Sequence, residues 1–226
     1  MLIENKILKD INNTCARLVE EELAFSFLGV KNYEISEGIK RISWINHISG
    51  SINTSSYFNS LEQYKKILKQ NAYFCILQDG SIIRASYSIK KNELISHNLF
   101  YCPSPFDLNL KNLDPRFGAP LEILEDIMSS EEWPEKMIMR TPIRIDFDPQ
   151  NCSERHPLIH LHMQNKDCRI AINTPICFNS FIHFIFENCY PDIYQKNSFL
   201  QELPKIDLRN SDENVHHLSL NFNYIK

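Results

Sequence analysis

Apolar residues recur at three- and four-residue spacing along the first segment: Ile7, Leu8, Ile11, Cys15, Leu18, Val19 and Leu23. That spacing predicts a helix with one apolar face, leaving Lys6, Lys9, Asp10, Arg17, Glu20 and Glu21 on the other. Residues 26–58 carry no periodic signal strong enough to assign. NSLEQYKKILKQN then predicts a short helix capped by Asn59 or Ser60, with Leu61, Tyr64, Ile67 and Leu68 turned inward. After it the period changes to that of strands. AYFCILQDGSIIRASYSIKKNELISHNLFYCPSP holds three apolar runs, separated by Asp79-Gly80 and by the charged residues 90–93. Asp-Gly between such runs signals a hairpin, because glycine supplies the positive φ a tight turn needs. Pro103 and Pro105 end the third run, since proline cannot donate to a ladder.

Residues 106–118 read as loop, and 119–128 as a helix with Pro120 in its first turn. The strand pattern then returns in MIMRTPIRIDFDP, HPLIHLHMQ and DCRIAINTP. ICFNSFIHFIFENCYPDIY predicts a strongly apolar helix ended near Tyr190-Pro191. VHHLSLNFNYI alternates His217, Ser219, Asn221 and Asn223 with Leu218, Leu220, Phe222 and Tyr224, as a half-buried strand does. The fold class expected is α+β: a mainly antiparallel sheet, built from a meander and a second strand group, packed by helices. One compact domain over residues 1–226 is expected, with 1–70 a helical part and 71–226 rich in sheet.

Composition narrows the partners more than the chemistry. With 43% hydrophobic and 23% charged residues, the chain is ordinary for a folded protein. A net charge of −4 argues against holding nucleic acid by broad counterion release, although a local basic groove stays open. No stretch reaches the roughly 18 apolar residues of a membrane span, and the N-terminus is too charged for a signal peptide, so a cytoplasmic setting is expected. The seven cysteines include no C-x-x-C pair, which suggests reduced thiols and no zinc knuckle. Five glycines leave no G-x-x-x-x-G-K loop, and no serine or cysteine stands in a nucleophile elbow.

The candidate chemistry is concentrated in RIDFDPQNCSERHPLIHLHMQ, residues 144–164, with three acids, three histidines and two arginines. Strand alternation puts Arg144, Asp146 and Asp148 on one face, and Leu158, His160 and His162 on one face of the next strand. Arg169 joins that polar side from a third strand. Imidazoles two apart on a strand stand roughly 6.5 to 7 Å apart at the backbone, so both can turn toward one divalent ion with a carboxylate beside them. Such an ion could activate water for phosphoester or amide hydrolysis. The blander reading is a solvated or salt-bridged strand face, which is common. The connection PQNCSERHP is long for a hairpin and could fold over the face. His97 reads as a strand residue bonded to backbone, and His183 as a satisfied helix histidine.

The run HPLIHLHMQNKDCRIAINTPICFNSFIHFIFENCY resembles the signature block of an uncharacterised bacterial family, domain of unknown function number 2290. The matching residues are His156, Pro157, His160 and Leu161; Cys168, Arg169 and Ile170; Pro175; and Phe181, Ile182, Phe184 and Ile185. The middle of the chain is similar too, through Asp79, Gly80, Tyr87, Leu94, His97, Leu99 and Pro103. The resemblance implies no established activity, and a genomic setting of mobile or phage-defence systems. It also implies that His162 stands where relatives carry Thr, so a His160–His162 metal pair would not be shared by them.

Three functions are therefore weighed. The first is an accessory or regulatory module that binds a protein encoded nearby, motivated by the absent catalytic motif, the acidic balance and the apolar helix 176–190. The second is a metal-assisted hydrolase or nuclease using Asp146, Asp148, His156 and His160. The third is a nucleic-acid binder with a groove of Arg140, Arg144, Arg155 and Arg169. No cofactor is expected, with a divalent metal the open alternative. The first reading is preferred, with His160 structural; a His160 buried among apolar side chains, far from any acid, would exclude the catalytic version.

Overall fold

A computed structural model describes residues 2–47, 60–111, 120–163 and 167–208. The chain order is α1 (Ile3–Glu20), β1 (Ala24–Phe27), β2 (Val30–Ser36), β3 (Ile39–Trp44), α2 (Leu61–Lys69), β4 (Cys75–Leu77), β5 (Ile82–Lys90) and β6 (Glu93–Cys102). It continues with α3 (Pro120–Ser129), α4 (Trp133–Lys136), β7 (Ile143–Phe147), β8 (Ile159–Met163), β9 (Ile170–Ala171), α5 (Phe178–Cys189), α6 (Pro191–Lys196) and α7 (Ser198–Gln201). The described strands form a single antiparallel sheet in the order β1-β4-β5-β6-β7-β8-β9, with β2 and β3 attached through β5. The fold is α+β. Residues 24–44, inside the part expected to be helical, instead supply three strands. The strand expected in 215–225 lies outside the described residues.

The sheet forks at β5. Ile82 and Ile83 pair with β4, while residues 87–90 pair with β3 along the same edge. The turn before β5 is the one Asp79-Gly80 announces. Gly80 sits at φ +88°, its N–H donates to Leu77 O at 3.0 Å, and Asp79 Oδ1 accepts from the Ser81 N–H at 2.9 Å. Asp79 also receives Arg140 Nη1 at 2.6 Å and the Tyr190 hydroxyl at 3.1 Å, which ties the turn to the end of α5. The β5–β6 hairpin turns through Lys91 and Asn92, both left-handed at φ +50° and +66°, which suits the twist of two strands joined by a two-residue loop.

One face of the sheet is dry. Ala85, Tyr87, Leu99, Ile145, Phe147, Ile159 and Leu161 lie on it, all buried. Against it packs α5, which buries Phe178, Phe181, Ile182, Ile185 and Phe186 as its periodicity predicts. The inward face of α1, Ile7, Ile11, Cys15 and Leu18, joins the same core. A buried hydrogen bond from Thr14 Oγ1 to Asn179 Oδ1, 2.6 Å, fixes α1 against α5. His97 belongs to this face: its Nε2 accepts the Ile176 N–H at 3.1 Å, a backbone bond as its sequence context suggested. His183 is satisfied by Leu200 O and the Tyr194 hydroxyl, each at 3.3 Å.

Candidate functional site

The other face of the sheet carries two neighbouring cross-strand rows. One runs Ser86–Asn98–Asp146–His160–Ala171, and the other Arg84–Phe100–Arg144–His162. The simpler expectation is a solvated or salt-bridged face; the face is salt-bridged, through Arg144 and Asp146, but its side chains are largely out of water. His160 and His162 are 1% exposed, Arg84 2% and Arg144 7%. Alternation correctly says which side chains share a face; it does not say whether that face is covered.

Asp146 is the centre of the cluster. Its Oδ1 accepts from Asn98 Nδ2 at 2.5 Å, and its Oδ2 from Arg144 Nε at 2.8 Å. His162 Nε2 lies 3.3 Å from the same Oδ2 and His160 Nε2 3.8 Å from it. Burial pushes the Asp146 carboxyl up, but His162, the Arg144 guanidinium and His160 outweigh that and bring it down to about 2. It is an anion at neutral pH. Burial likewise lowers His160, to about 4, against the opposing pull of Asp146, with His162 adding to the lowering.

The tautomer of His160 follows from its backbone contact. Nδ1 stands 2.7 Å from the Pro157 carbonyl, which can only accept, so Nδ1 carries the proton. Nε2 then presents a lone pair toward the Asp146 carboxylate and has no hydrogen-bond partner among the described residues. At 3.8 Å the gap exceeds a shared hydrogen bond. His160 Nε2 is thus a buried acceptor with no donor among the described residues, next to a carboxylate whose charge Arg144 already meets in part. One ligand atom from each of Asp146, His160 and His162 lies within 4.8 Å of the others, a grouping able to hold a metal ion. Two imidazoles and a carboxylate suit Zn²⁺ with a fourth position left for water.

The remaining sequence candidates take different places. His156 comes to the cluster: its ring meets His160 edge-on at 4.5 Å, so the connection from β7 to β8 does fold over the face there. Asp148 follows β7 and accepts from Asn151 Nδ2 at 2.8 Å. Arg155 is exposed on that connection. Arg169 precedes Ile170, the register partner of Leu161, so alternation sets it on the histidine side, and its Nε is buried without a hydrogen-bond partner among the described residues. Arg140 is committed to Asp79. Sequence reading missed Asn98 and Arg84. The first is recoverable once β6 is paired with β7; the second was visible as the lone charge inside the apolar run SIIRASYSI.

Together these features define an α+β protein whose sheet is dry on one side and buries a histidine–aspartate–arginine cluster on the other. The chain belongs to the family described as "Uncharacterized conserved protein (DUF2290)", whose model matches residues 28–224. No curated protein and no solved structure matches it.

Proposed function

We propose that this chain is a metal-assisted hydrolase whose ion is held by Asp146, His160 and His162. The single observation behind the reading is the unpartnered His160 Nε2 aimed at an ionised carboxylate, with a second imidazole beside both. A divalent ion held there would supply the chemistry of a water with lowered pKa. The protein's own groups set the stage for it. The Pro157 carbonyl orients His160, while Asn98 and Arg144 orient Asp146, as outer hydrogen bonds do around metal ligands. His156, in ring contact with His160, would be the nearest further imidazole for proton transfer at the site. The proposal includes a cytoplasmic setting, supported by seven cysteines that are all free. Among the described residues no helix is long and apolar enough to cross a membrane.

The test starts from chelator-stripped protein titrated calorimetrically with Zn²⁺ and Mn²⁺. One equivalent should bind, and His160→Ala and His162→Ala should each weaken it at least tenfold while keeping the far-UV spectrum. Hydrolysis of an activated phosphodiester and an activated amide should then depend on the added ion. Wild-type protein that binds no ion, or alanine variants that bind like wild type, would refute the reading.

A second reading, the accessory module that binds a neighbour-encoded protein in a phage-defence or mobile-element setting, draws on a different place. Met137, Ile138 and Met139 are exposed in succession, Met139 at 93%. They border a cavity of about 360 Å³ with Leu61, Tyr64, Pro103 and Pro105. Co-purification with the product of the adjacent gene, lost in Met139→Glu and kept in His160→Ala, would favour this reading over the hydrolase.

A further inference from the structure

The second polar row contains a cation that the cluster does not use. Arg84 is buried in the middle of β5, and its Nε and Nη1 have no hydrogen-bond partner among the described residues. Its guanidinium lies over the Trp44 ring at 4.5 Å and the Phe100 ring at 5.0 Å. Those faces hold the plane in place but satisfy none of its in-plane donors. The Trp44 indole Nε1, next to it, is also buried without a partner, as is Arg41 Nε on β3. The orphaned atoms of Arg84, Trp44 and Arg41 are all donors that cannot accept. The carboxylate of the cluster, Asp146, is already engaged by Arg144 and Asn98.

Buried donors without acceptors imply an acceptor-rich guest, and buried arginine forks suit the oxygens of a phosphate. We infer that Arg84 and the Trp44 indole N–H form a phosphate-binding subsite on the sheet face beside the Asp146–His160–His162 cluster. Register fixes the spacing. Arg84 and Arg144 flank Phe100 in one row, so their backbones stand about 10 Å apart, two strand spacings. Arg84's own row ends in His162 and the neighbouring row holds Asp146 and His160, so a phosphate on Arg84 lies on the same face as the cluster, with the histidine strand three strand spacings, about 14 Å, from β5 at the backbone. Ser86 and Asn98, paired with each other in the next row, are only half buried, so the covering of this face is incomplete beside Arg84. On the Trp44 side the neighbouring charges are cations. Burial holds the nearby His47 ring neutral, down to about 4, and Arg41, Arg84 and Lys31 add to that lowering.

As an assignment of substrate class, phosphoester over amide, this inference rests on the hydrolase reading; as a binding site it is measured without any metal. Inorganic phosphate and a nucleoside monophosphate are titrated in chelator against wild type, Arg84→Met, Arg84→Lys and Trp44→Phe, with heat of binding and thermal protection as readouts. Wild type should bind phosphate, Arg84→Met should weaken it at least tenfold, and Arg84→Lys should recover part of the loss. Trp44→Phe should weaken it severalfold, and carries the test if Arg84→Met does not fold. Tighter binding of the nucleotide than of phosphate would assign the source as a nucleotide, and equal binding a bare phosphate group. Wild type that binds neither probe, or Arg84 and Trp44 variants that bind as wild type does, overturns the subsite. Zn²⁺ binding by Arg84→Met should equal that of wild type, so a failed metal site and a failed phosphate site give different results.

Discussion

Acid should unfold this protein through His97, and the size of the effect can be worked out. The ring is 3% exposed, 5.8 Å from Tyr87 and 5.9 Å from Phe147 between centroids, and its Nε2 is occupied by the Ile176 N–H. Protonation would set donor against donor in an apolar layer. Burial accordingly lowers its pKa from 6.5 to about 4, despite the partial compensation from Asp146. The folded value lies below the unfolded one, so the stabilisation is complete above 6.5 and is lost as pH falls toward 4. Linkage across that window gives a loss of about 2 kcal/mol between about pH 7.5 and about pH 5 from this one site. Urea unfolding of wild type and His97→Gln at several pH values isolates the term, because the glutamine amide can still accept from Ile176 and does not titrate. Other histidines, His47 and His160 included, are common to both proteins and cancel. The wild-type curve should fall toward that of the variant by about 2 kcal/mol on acidification. Parallel curves would show that the buried ring is not what acid attacks.

Two further outcomes test the core and the first hairpin. Phe181 is fully buried, so Phe181→Ala should cost about 3 to 5 kcal/mol, on the order of 10 °C in melting temperature, and a loss below about 1 kcal/mol would mean α5 is not packed as described. Gly80→Ala should cost about 2 to 4 kcal/mol by denaturant titration, since φ is +88° and a Cβ would stand 2.6 Å from Leu108 Cδ1; a neutral substitution would show that this turn yields easily.

How much of this was legible depended on whether local chemistry or distant packing decides an element. The meander could be read because Asp79-Gly80 dictates its own turn and the runs around it are apolar on both sides. The helix of Phe178–Cys189 could be read because its apolar stripe is wide. Residues 24–44 could not. β2 is exposed at Lys31, Asn32 and Glu34 and only half buried at Tyr33, so no alternation marks it, and β1 is four residues long. The candidate site was legible as a shared face, since Asp146, His160 and His162 follow from strand parity alone. Its burial was not, and neither was that of Arg84, because both depend on what the rest of the chain lays over the sheet.

The fork at β5 bears on how the protein is made. The hairpin of β2 and β3 is synthesised early, yet its place in the sheet is a seam with residues 87–90, where Ile42 meets Tyr87. Until that stretch exists, the hairpin has two open edges. Lys31, Glu34, Lys40 and Arg41 give the waiting hairpin a charged character that discourages pairing with another chain. β5, once formed, is paired along one side by β6 and at both ends of the other by β4 and β3, and so unites the pieces; its amides should be among the last to exchange with solvent and its arrival should set the pace of assembly.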